Sequence, residues 1–247
     1  IDAWPALEHF WLAPAVESLA YRDDIESAYE AMADDESRRL IVALLDQRLN
    51  GKPDALPPPE TDTHYLPHGL PPPASPIRYV DCGAYTGDTI QSFLRNGLAF
   101  EEIAAFEPDP AHYPRLVRTI ASLRAVAFPC GVWDGMTQLR FSSDDSASHI
   151  DDSGEIIVQT VALDQALPNF TPTLIKMDIE GAEGRALLGA RRTIETHRPQ
   201  LAISTYHKPR DLWELMLLVH RWDLGYHFHL RTHCHNGFET VLYGYPT

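Results

Sequence analysis

Cysteine is scarce. The 247 residues contain three, Cys82, Cys130 and Cys234, widely scattered and with no CxxC pair. That argues against a disulfide scaffold and a thiolate zinc centre, no metal site is expected, and a reducing, cytoplasmic setting is the default. Positive charge is scarce too: 20 Lys and Arg stand against 35 Asp and Glu, a net charge of −15. Such a balance speaks against duplex nucleic acid as a partner, because phosphates need a basic footprint, and against docking on an anionic membrane. No apolar run approaches the roughly 20 residues of a membrane span. The first residues lack the basic n-region of a secretory signal. Because the chain begins at Ile1 and not Met, it is expected to have been trimmed or to belong to something longer. Association into a homo-oligomer is left open. What is present is an ordinary globular balance, 44% hydrophobic and 22% charged, enough for one large domain with or without a small appendage.

Proline is unevenly spread. Nine of the 20 fall between Pro53 and Pro76, including Pro57-Pro58-Pro59 and Pro71-Pro72-Pro73. Each removes a backbone donor and restricts its predecessor, so the stretch reads as an extended linker or surface wrap. It divides the chain into a helical extension over 1–52, a linker over 53–76 and a main domain over 77–247. In the extension, Leu40, Ile41, Leu44, Leu45 and Leu49 recur at helical spacing. Asp34 or Asp35 caps that helix and Gly51 stops it. An earlier helix covers the region around Ile25–Met32. Two helices make too little core to stand alone, so they are expected to pack on the main domain or on a partner subunit.

Beyond the linker, strands at Ile77–Cys82, Ile103–Glu107, Ala125–Phe128, Leu174–Asp178 and Leu201–Tyr206 alternate with helices at Asp88–Asn96, Ala111–Leu123 and Glu183–His197. This βαβα rhythm predicts an α/β fold with a parallel sheet covered on both faces. Gln138–Ser142 and Glu155–Val161 read as an inserted hairpin around an Asp/Ser tip. Tyr226–His233 and Glu239–Tyr245 read as a hairpin turning at Asn236-Gly237.

The most informative segment is Tyr79-Val80-Asp81-Cys82-Gly83-Ala84-Tyr85-Thr86-Gly87-Asp88. A strand runs into a turn where Gly83 and Gly87 let the backbone pass close to a ligand, at the carboxyl edge where open α/β sheets bind nucleotides. The spacing is G-x-x-x-G, neither the G-x-G-x-x-G of dinucleotide binders nor a P-loop. Asp81 would repel a pyrophosphate and suits an ammonium and a sulfonium. Glu107 lies 24 residues after Gly83, near the offset at which an acid accepts ribose hydroxyls. Two acids framing a glycine turn fit S-adenosylmethionine better than NAD.

The strings DCGAYTGDT, FEPDP, IKMDIEGAEGRALLGA, RPQLAISTYHKPRDLW and ETVLYGYP, in this order from about Tyr79 to Pro246, resemble the FkbM family of methyltransferases. The resemblance implies a class I S-adenosylmethionine-dependent methyltransferase fold, Rossmann-like, with a seven-stranded, mostly parallel sheet whose last strand is antiparallel. It implies methylation of a hydroxyl on a sugar, glycan or secondary metabolite. Carried over by position, Asp81, Gly83, Ala84, Tyr85 and Gly87 surround the methionine part of the cofactor and Glu107 the ribose. The loop Cys130-Gly131-Val132-Trp133 lies against the adenine, with Gly131 and Val132 in contact, and Ser146 and Ser148 approach the cofactor from the Ser142–Ser153 run, which reads as a mobile lid.

Lys176, Asp178 and Glu180 alternate onto one face at the end of the fourth strand. Asp178 either orients the sulfonium or the acceptor hydroxyl, or caps the next helix or pairs with Lys176. Glu180 is a candidate acceptor contact, and Glu183 a first-turn residue favoured by the helix dipole. His207, which with Tyr206 ends the fifth strand, is the first candidate for general base, ahead of Asp178, with a structural hydrogen-bonding histidine as the alternative. His227, His229, Arg231, His233 and His235 alternate along the penultimate strand. Their spacing is too wide for one ion, so Arg231 and His233 are read as acceptor contacts on a polar strip. Two other readings remain open here: a nicotinamide-dependent oxidoreductase or epimerase, and a non-catalytic binding module.

Overall fold

The computed structural model describes residues 20–50, 56–61, 64–144, 147–150 and 156–247, and of residues 141–144 and 147–150 the backbone alone. In chain order its elements are α1 (Arg22–Ala31), α2 (Asp35–Asn50), β1 (Ile77–Cys82), α3 (Asp88–Arg95), β2 (Phe100–Phe106), α4 (Tyr113–Ile120), β3 (Ala125–Phe128), β4 (Gly131–Val132), β5 (Thr137–Asp144), β6 (Ala147–Ile150), β7 (Ile156–Val161), α5 (Leu163–Ala166), β8 (Leu174–Met177), α6 (Glu183–Gly189), α7 (Arg191–His197), β9 (Gln200–Ser204), α8 (Asp211–His220), β10 (Tyr226–Thr232) and β11 (Thr240–Pro246). Contacts group the chain into two compact units, residues 71–203 and residues 1–70 with 204–247.

In the first unit, five parallel strands run in the order β3-β2-β1-β8-β9. β1 is central, and Ile77, Tyr79, Val80, Asp81 and Cys82 are all buried, as a parallel strand covered on both faces requires. Tyr79, Phe93 and Phe100 pack with ring centroids 5.6–6.2 Å apart. The chain leaves β1 towards β2 and β3 on one side and returns to β8 and β9 on the other. The strand order therefore reverses between β1 and β8, and the crevice at their carboxyl ends is where such sheets take ligands.

A second sheet in this unit has the order β4-β7-β5-β6. The inserted hairpin is there, with β5 antiparallel to β7 from Thr137↔Thr160 to Phe141↔Ile156. The expected tip contributes a further strand: β6 pairs with β5 from Phe141↔Ile150 to Asp144↔Ala147. The strand pairing Ser143 with Ser148 replaces a loop at those positions. Ser146 and residues 151–155 lie outside the described residues, as does the Ser148 side chain. The single helix expected over Glu183–His197 is two, α6 and α7, because the backbone leaves helical geometry at Ala190, with φ −108 and ψ 1.

In the other unit, Asp34 caps α2 as expected, its Oδ1 accepting the Ser37 N–H at 2.8 Å and the Ser37 hydroxyl at 2.6 Å. α1 packs on α8, where Tyr21 lies 6.0 Å from the buried Trp213 ring. α2 packs on β10. Met32 bridges Phe228, the Ala33 N–H donates to the Phe228 carbonyl at 2.8 Å, and Leu230 N–H donates to the Ser37 hydroxyl at 2.8 Å. The edge of β10, which would otherwise expose unpaired backbone, is thus covered by residues 32–37. β10 and β11 form the antiparallel hairpin, Tyr226↔Pro246 to Thr232↔Thr240. Its connection is longer than a two-residue turn, with Asn236 and Gly237 left-handed at φ 61 and 80. Among the described residues of the proline-rich stretch there is no helix or strand, and the Glu60 N–H donates to the Thr232 carbonyl at 2.9 Å. Seven strands, mostly parallel, make up the main sheet.

Candidate functional site

The loops after β1, β2 and β8 meet at the point of reversed strand order. The N–H groups of Gly83 and Ala84 both donate to the Phe106 carbonyl at 3.0 Å, and the Asp178 N–H donates to the Cys82 carbonyl at 3.0 Å. Gly83 is left-handed at φ 79, and a Cβ there would overlap the Asp178 carbonyl oxygen. Gly87 is left-handed at φ 83 ahead of α3, and a Cβ there would lie 2.7 Å from Thr119 Cγ2 of α4. Both glycines therefore make room for the protein's own chain. Tyr85 between them is also left-handed, at φ 48, and stands exposed with its ring edge on His112, centroids 4.3 Å apart. Ala84 is buried.

Glu107 fixes this turn. One carboxylate oxygen accepts the Tyr85 N–H at 2.7 Å, the other the Asp109 N–H at 2.8 Å. Asp109 Oδ1 then accepts the Ala111 N–H at 2.7 Å. Sequence reasoning missed Asp109, although an acid two residues after another acid in FEPDP is a turn-forming pattern. A carboxylate offers about four acceptor positions, so two remain on Glu107 for a diol. Burial pushes its carboxyl up to about 7, against the pull of those two N–H groups.

Asp81 is the penultimate residue of β1. It is 0% exposed, and its cation comes from the neighbouring strand: Lys176 Nζ lies 3.3 Å from Asp81 Oδ1 and donates to the Gly83 carbonyl at 2.6 Å. Asp81, expected to meet a ligand's ammonium or sulfonium directly, is here closed off from solvent and set against Lys176. Burial pushes the Asp81 carboxyl up to about 6 even with Lys176 beside it. Burial opposes the charge on Lys176 as well, but Asp81, Asp178 and Asp88 outweigh it and raise the lysine above its ordinary value. The pair is therefore ionised at neutral pH.

Asp178 Oδ2 stands 4.0 Å from the same lysine with 22% of its side chain exposed, so it is the acid of this group open to the crevice. Lys176 and Asp178 do share a face. Glu180 does not continue the alternation, since β8 ends at Met177 and Glu180 sits in a left-handed turn at φ 56 followed by Gly181 at φ 89. A non-glycine residue held there costs of order 1–3 kcal/mol, the kind of strain found at functional loops. Glu183 closes that loop, its Oε1 accepting the Ile179 N–H at 2.8 Å. It is the first residue of α6, as expected.

Gly131 and Val132 form β4 and pair with Thr160 and Val161, and Val132 is buried. Arg185 covers the Trp133 ring at 5.4 Å and pairs with Asp134 at 2.8 Å.

The other predicted residues lie in the second unit. His207 is buried at 2% exposure, its ring 4.2 Å from that of Tyr206. Since β9 ends at Ser204, it stands beyond the strand and not at its last position. Arg231 and His233, expected to meet the acceptor, are held by their own chain. Arg231 Nη2 pairs with Asp34 at 2.8 Å and Glu36 at 3.1 Å, and its Nη1 donates to the Ser37 hydroxyl at 3.0 Å. His233 bonds the Glu60 carbonyl at 2.9 Å through Nδ1 and the Tyr243 hydroxyl at 2.7 Å through Nε2. His229 adds a contact to Asp34 at 2.7 Å. The polar strip is an internal seam that holds α2 and residue 60.

The methyltransferase FkbM domain matches residues 81–232. Among solved structures, the chain is similar to the methyltransferase FkbM from Methylobacillus flagellatus KT, with 27% identity and a TM-score of 0.80 over 94% of this chain and 60% of that one. The chain thus spans 60% of that relative's length. Fainter likenesses are to a putative rRNA-methylase from Clostridium thermocellum (8% identity, TM-score 0.45, 67% of this chain and 83% of that one) and an rRNA methylase from Streptococcus thermophilus (13% identity, TM-score 0.41, 68% and 86%). No curated protein matches the sequence. The domain match, and a seven-strand sheet that follows an FkbM structure along nearly the whole chain, give a class I methyltransferase fold and place the chain in the FkbM methyltransferase family.

Proposed function

We propose that the chain is an S-adenosylmethionine-dependent O-methyltransferase acting on a hydroxyl of a sugar, glycan or secondary metabolite. The observation that carries this reading is the acid set at the β1/β8 reversal: Glu107 with acceptor positions to spare and Asp178 partly open beside them. An acid pair without an exposed phosphate-binding lysine fits an adenosyl compound carrying positive charge better than a dinucleotide, since Lys176 is 3% exposed and held on Asp81 and Gly83.

Bound S-adenosylmethionine supplies a methyl group already activated by its sulfonium. Glu107 accepts the ribose hydroxyls. Asp178 faces the charged methionine end, and Asp81 acts one step removed, by holding Lys176 on the Gly83 carbonyl. Gly131 and Val132 flank the adenine, and Ser148 is the candidate contact from β6. Alignment of acceptor oxygen, methyl carbon and sulfur in a site closed to water contributes on the order of 7–11 kcal/mol. Removal of the hydroxyl proton by His207, or by Asp178, adds roughly 10²–10⁴-fold. With the methyl donor bound, that base would take the acceptor's hydroxyl proton as the methyl group passes from sulfur to the acceptor oxygen.

Titration calorimetry with S-adenosylmethionine and NAD, beside mass spectrometry of acceptor mixtures incubated with isotope-labelled methyl donor, tests the reading. Saturable binding of the adenosyl compound and a labelled acceptor support it. NAD binding in its place, or no adenosyl binding, overturns it. His207→Ala should cut turnover and leave cofactor affinity nearly intact, whereas Glu107→Gln should weaken affinity itself.

A further inference from the structure

The unit formed by residues 1–70 and 204–247 contains a cavity of 260 Å³ that methyl transfer, as derived above, does not use. Gln47 and Arg48 line it from α2, Tyr206 from the segment after β9, and Asn236 and Phe238 from the β10–β11 connection. Gly237 lets that connection close on the helix: its backbone is left-handed, and a Cβ would sit 2.5 Å from Leu44 Cδ2.

Three polar side chains reach the cavity with donors to offer. Arg48 Nη1 donates to the Pro209 carbonyl at 2.6 Å, while its Nε and Nη2 find no acceptor among the described residues. The amides of Gln47 and Asn236 likewise have no partner among the described residues. Burial draws the Arg48 guanidinium down to about 10, with Asp211 pulling the other way, so it is charged at neutral pH. Tyr206 and Phe238 add an aromatic wall, centroids 6.2 Å apart at 62°.

We propose that this cavity binds a single sugar ring bearing a carboxylate, with the carboxylate on Arg48, ring hydroxyls on Gln47 and Asn236, and the ring's C–H face against Tyr206 and Phe238. A guanidinium fork matches a carboxylate in plane, side-chain amides pair with hydroxyls in either sense, and an apolar wall with a few aimed polar groups is the usual composition of a small-molecule site. Arg48 is the one lining residue charged at neutral pH. It stands near Asp211 in a chain of net charge −15, a setting that suits a monoanion and disfavours a phosphate dianion.

The test is a titration of the whole chain with glucuronate, followed by NMR or calorimetry without methyl donor, so that failure of the methyl-transfer reading does not touch it. Glucose and glucose 6-phosphate serve as comparators. Glucuronate should saturate one site, bind about tenfold or more tightly than glucose, and lose about tenfold in Arg48→Gln. Because Arg48 also holds the Pro209 carbonyl, Gln47→Ala, which breaks no bond within the chain, is the second variant and should weaken binding by about 3–10-fold. Absence of saturation, affinity unchanged in Gln47→Ala, glucose binding as tightly as glucuronate, or glucose 6-phosphate binding more tightly would each overturn the proposal.

Discussion

Replacing Lys176 with Met tests the electrostatic centre of the cofactor turn. In the native chain the Asp81 carboxyl, 0% exposed, is pushed from its ordinary 3.8 up to about 6 with the lysine 3.3 Å away. A raised acid favours the fold while protonated. Its contribution is complete below the unfolded value near 3.8 and is lost as pH rises to about 6, at about 1.4 kcal/mol per unit. Without the lysine, only the Tyr79 hydroxyl still favours the ionised carboxyl against burial and Asp88, and the group moves toward the roughly 8–9 known for fully buried carboxyls. The loss then continues for two further units, about 3 kcal/mol by pH 8, in line with the ~3–5 kcal/mol for breaking a buried pair. At pH 5 Asp81 is neutral in both proteins, and about 1 kcal/mol remains, from the Gly83 carbonyl that loses its donor.

The assay is urea denaturation at pH 5, 6, 7 and 8, read by tryptophan fluorescence and far-UV circular dichroism. The difference between native and Lys176→Met should grow by about 3 kcal/mol across that range. Lys176→Met with Asp81→Asn should recover most of the loss at pH 8, because no buried charge is left unmatched. A difference that stays within about 1 kcal/mol from pH 5 to pH 8 would refute the ionised pair and return Asp81 to the list of direct ligand contacts.

Three further outcomes follow from the same geometry. Glu107, pushed up to about 7, should bind S-adenosylmethionine best when ionised, so calorimetric affinity should fall up to about tenfold per unit as pH drops below 7, and Glu107→Gln should flatten that dependence. Gly83→Ala places a methyl on the Asp178 carbonyl in a left-handed backbone, and should destabilise by about 3 kcal/mol or more in urea melts. Asp34→Ala removes the cap of α2 and one partner of the buried Arg231. It should cost about 2–4 kcal/mol near neutral pH, less than a fully orphaned pair because Glu36 stays 3.1 Å away. Burial opposes the Asp34 charge, but Arg231, Ser37 and His229 outweigh it and hold the carboxyl well below its ordinary 3.8. That stabilisation is present above the ordinary value and is lost as pH falls through the lower, folded one, so the gap between native and variant should close in strong acid.

The strands were legible where the pattern is local. β1 and β3 fall where the β-branched and apolar runs place them; for β1 the reason is that a parallel strand buried on both faces is written in its own residues. Glu107 was legible from its offset after the glycine turn, but not its grip on the Tyr85 and Asp109 N–H groups, since a carboxylate's partners depend on the path of the loop. The glycines show the same limit. Their left-handed backbone was readable from residue type, while what crowds them, Asp178 at one and Thr119 at the other, comes from segments far along the chain. The division of α6 from α7 at Ala190 was equally hidden, and Gly189 beside it packs on the Trp133 carbonyl from a distant segment.

The row on β10 shows why a correctly read face can still be assigned the wrong partner. Alternation places His229, Arg231 and His233 on one side of the strand, and they are there. Phe228 and Leu230, on the opposite side, are buried at 1% and 0%, so this strand is covered on both faces and its polar row must be matched inside the protein. An arginine at 4% exposure cannot wait for a substrate without an anion of its own chain, since an unmatched buried charge costs several kcal/mol. The anion is Asp34, already identified as a helix cap. One carboxylate ends α2, accepts from Ser37 and neutralises Arg231, and the cap alone was visible because it is the one of those contacts made within three residues.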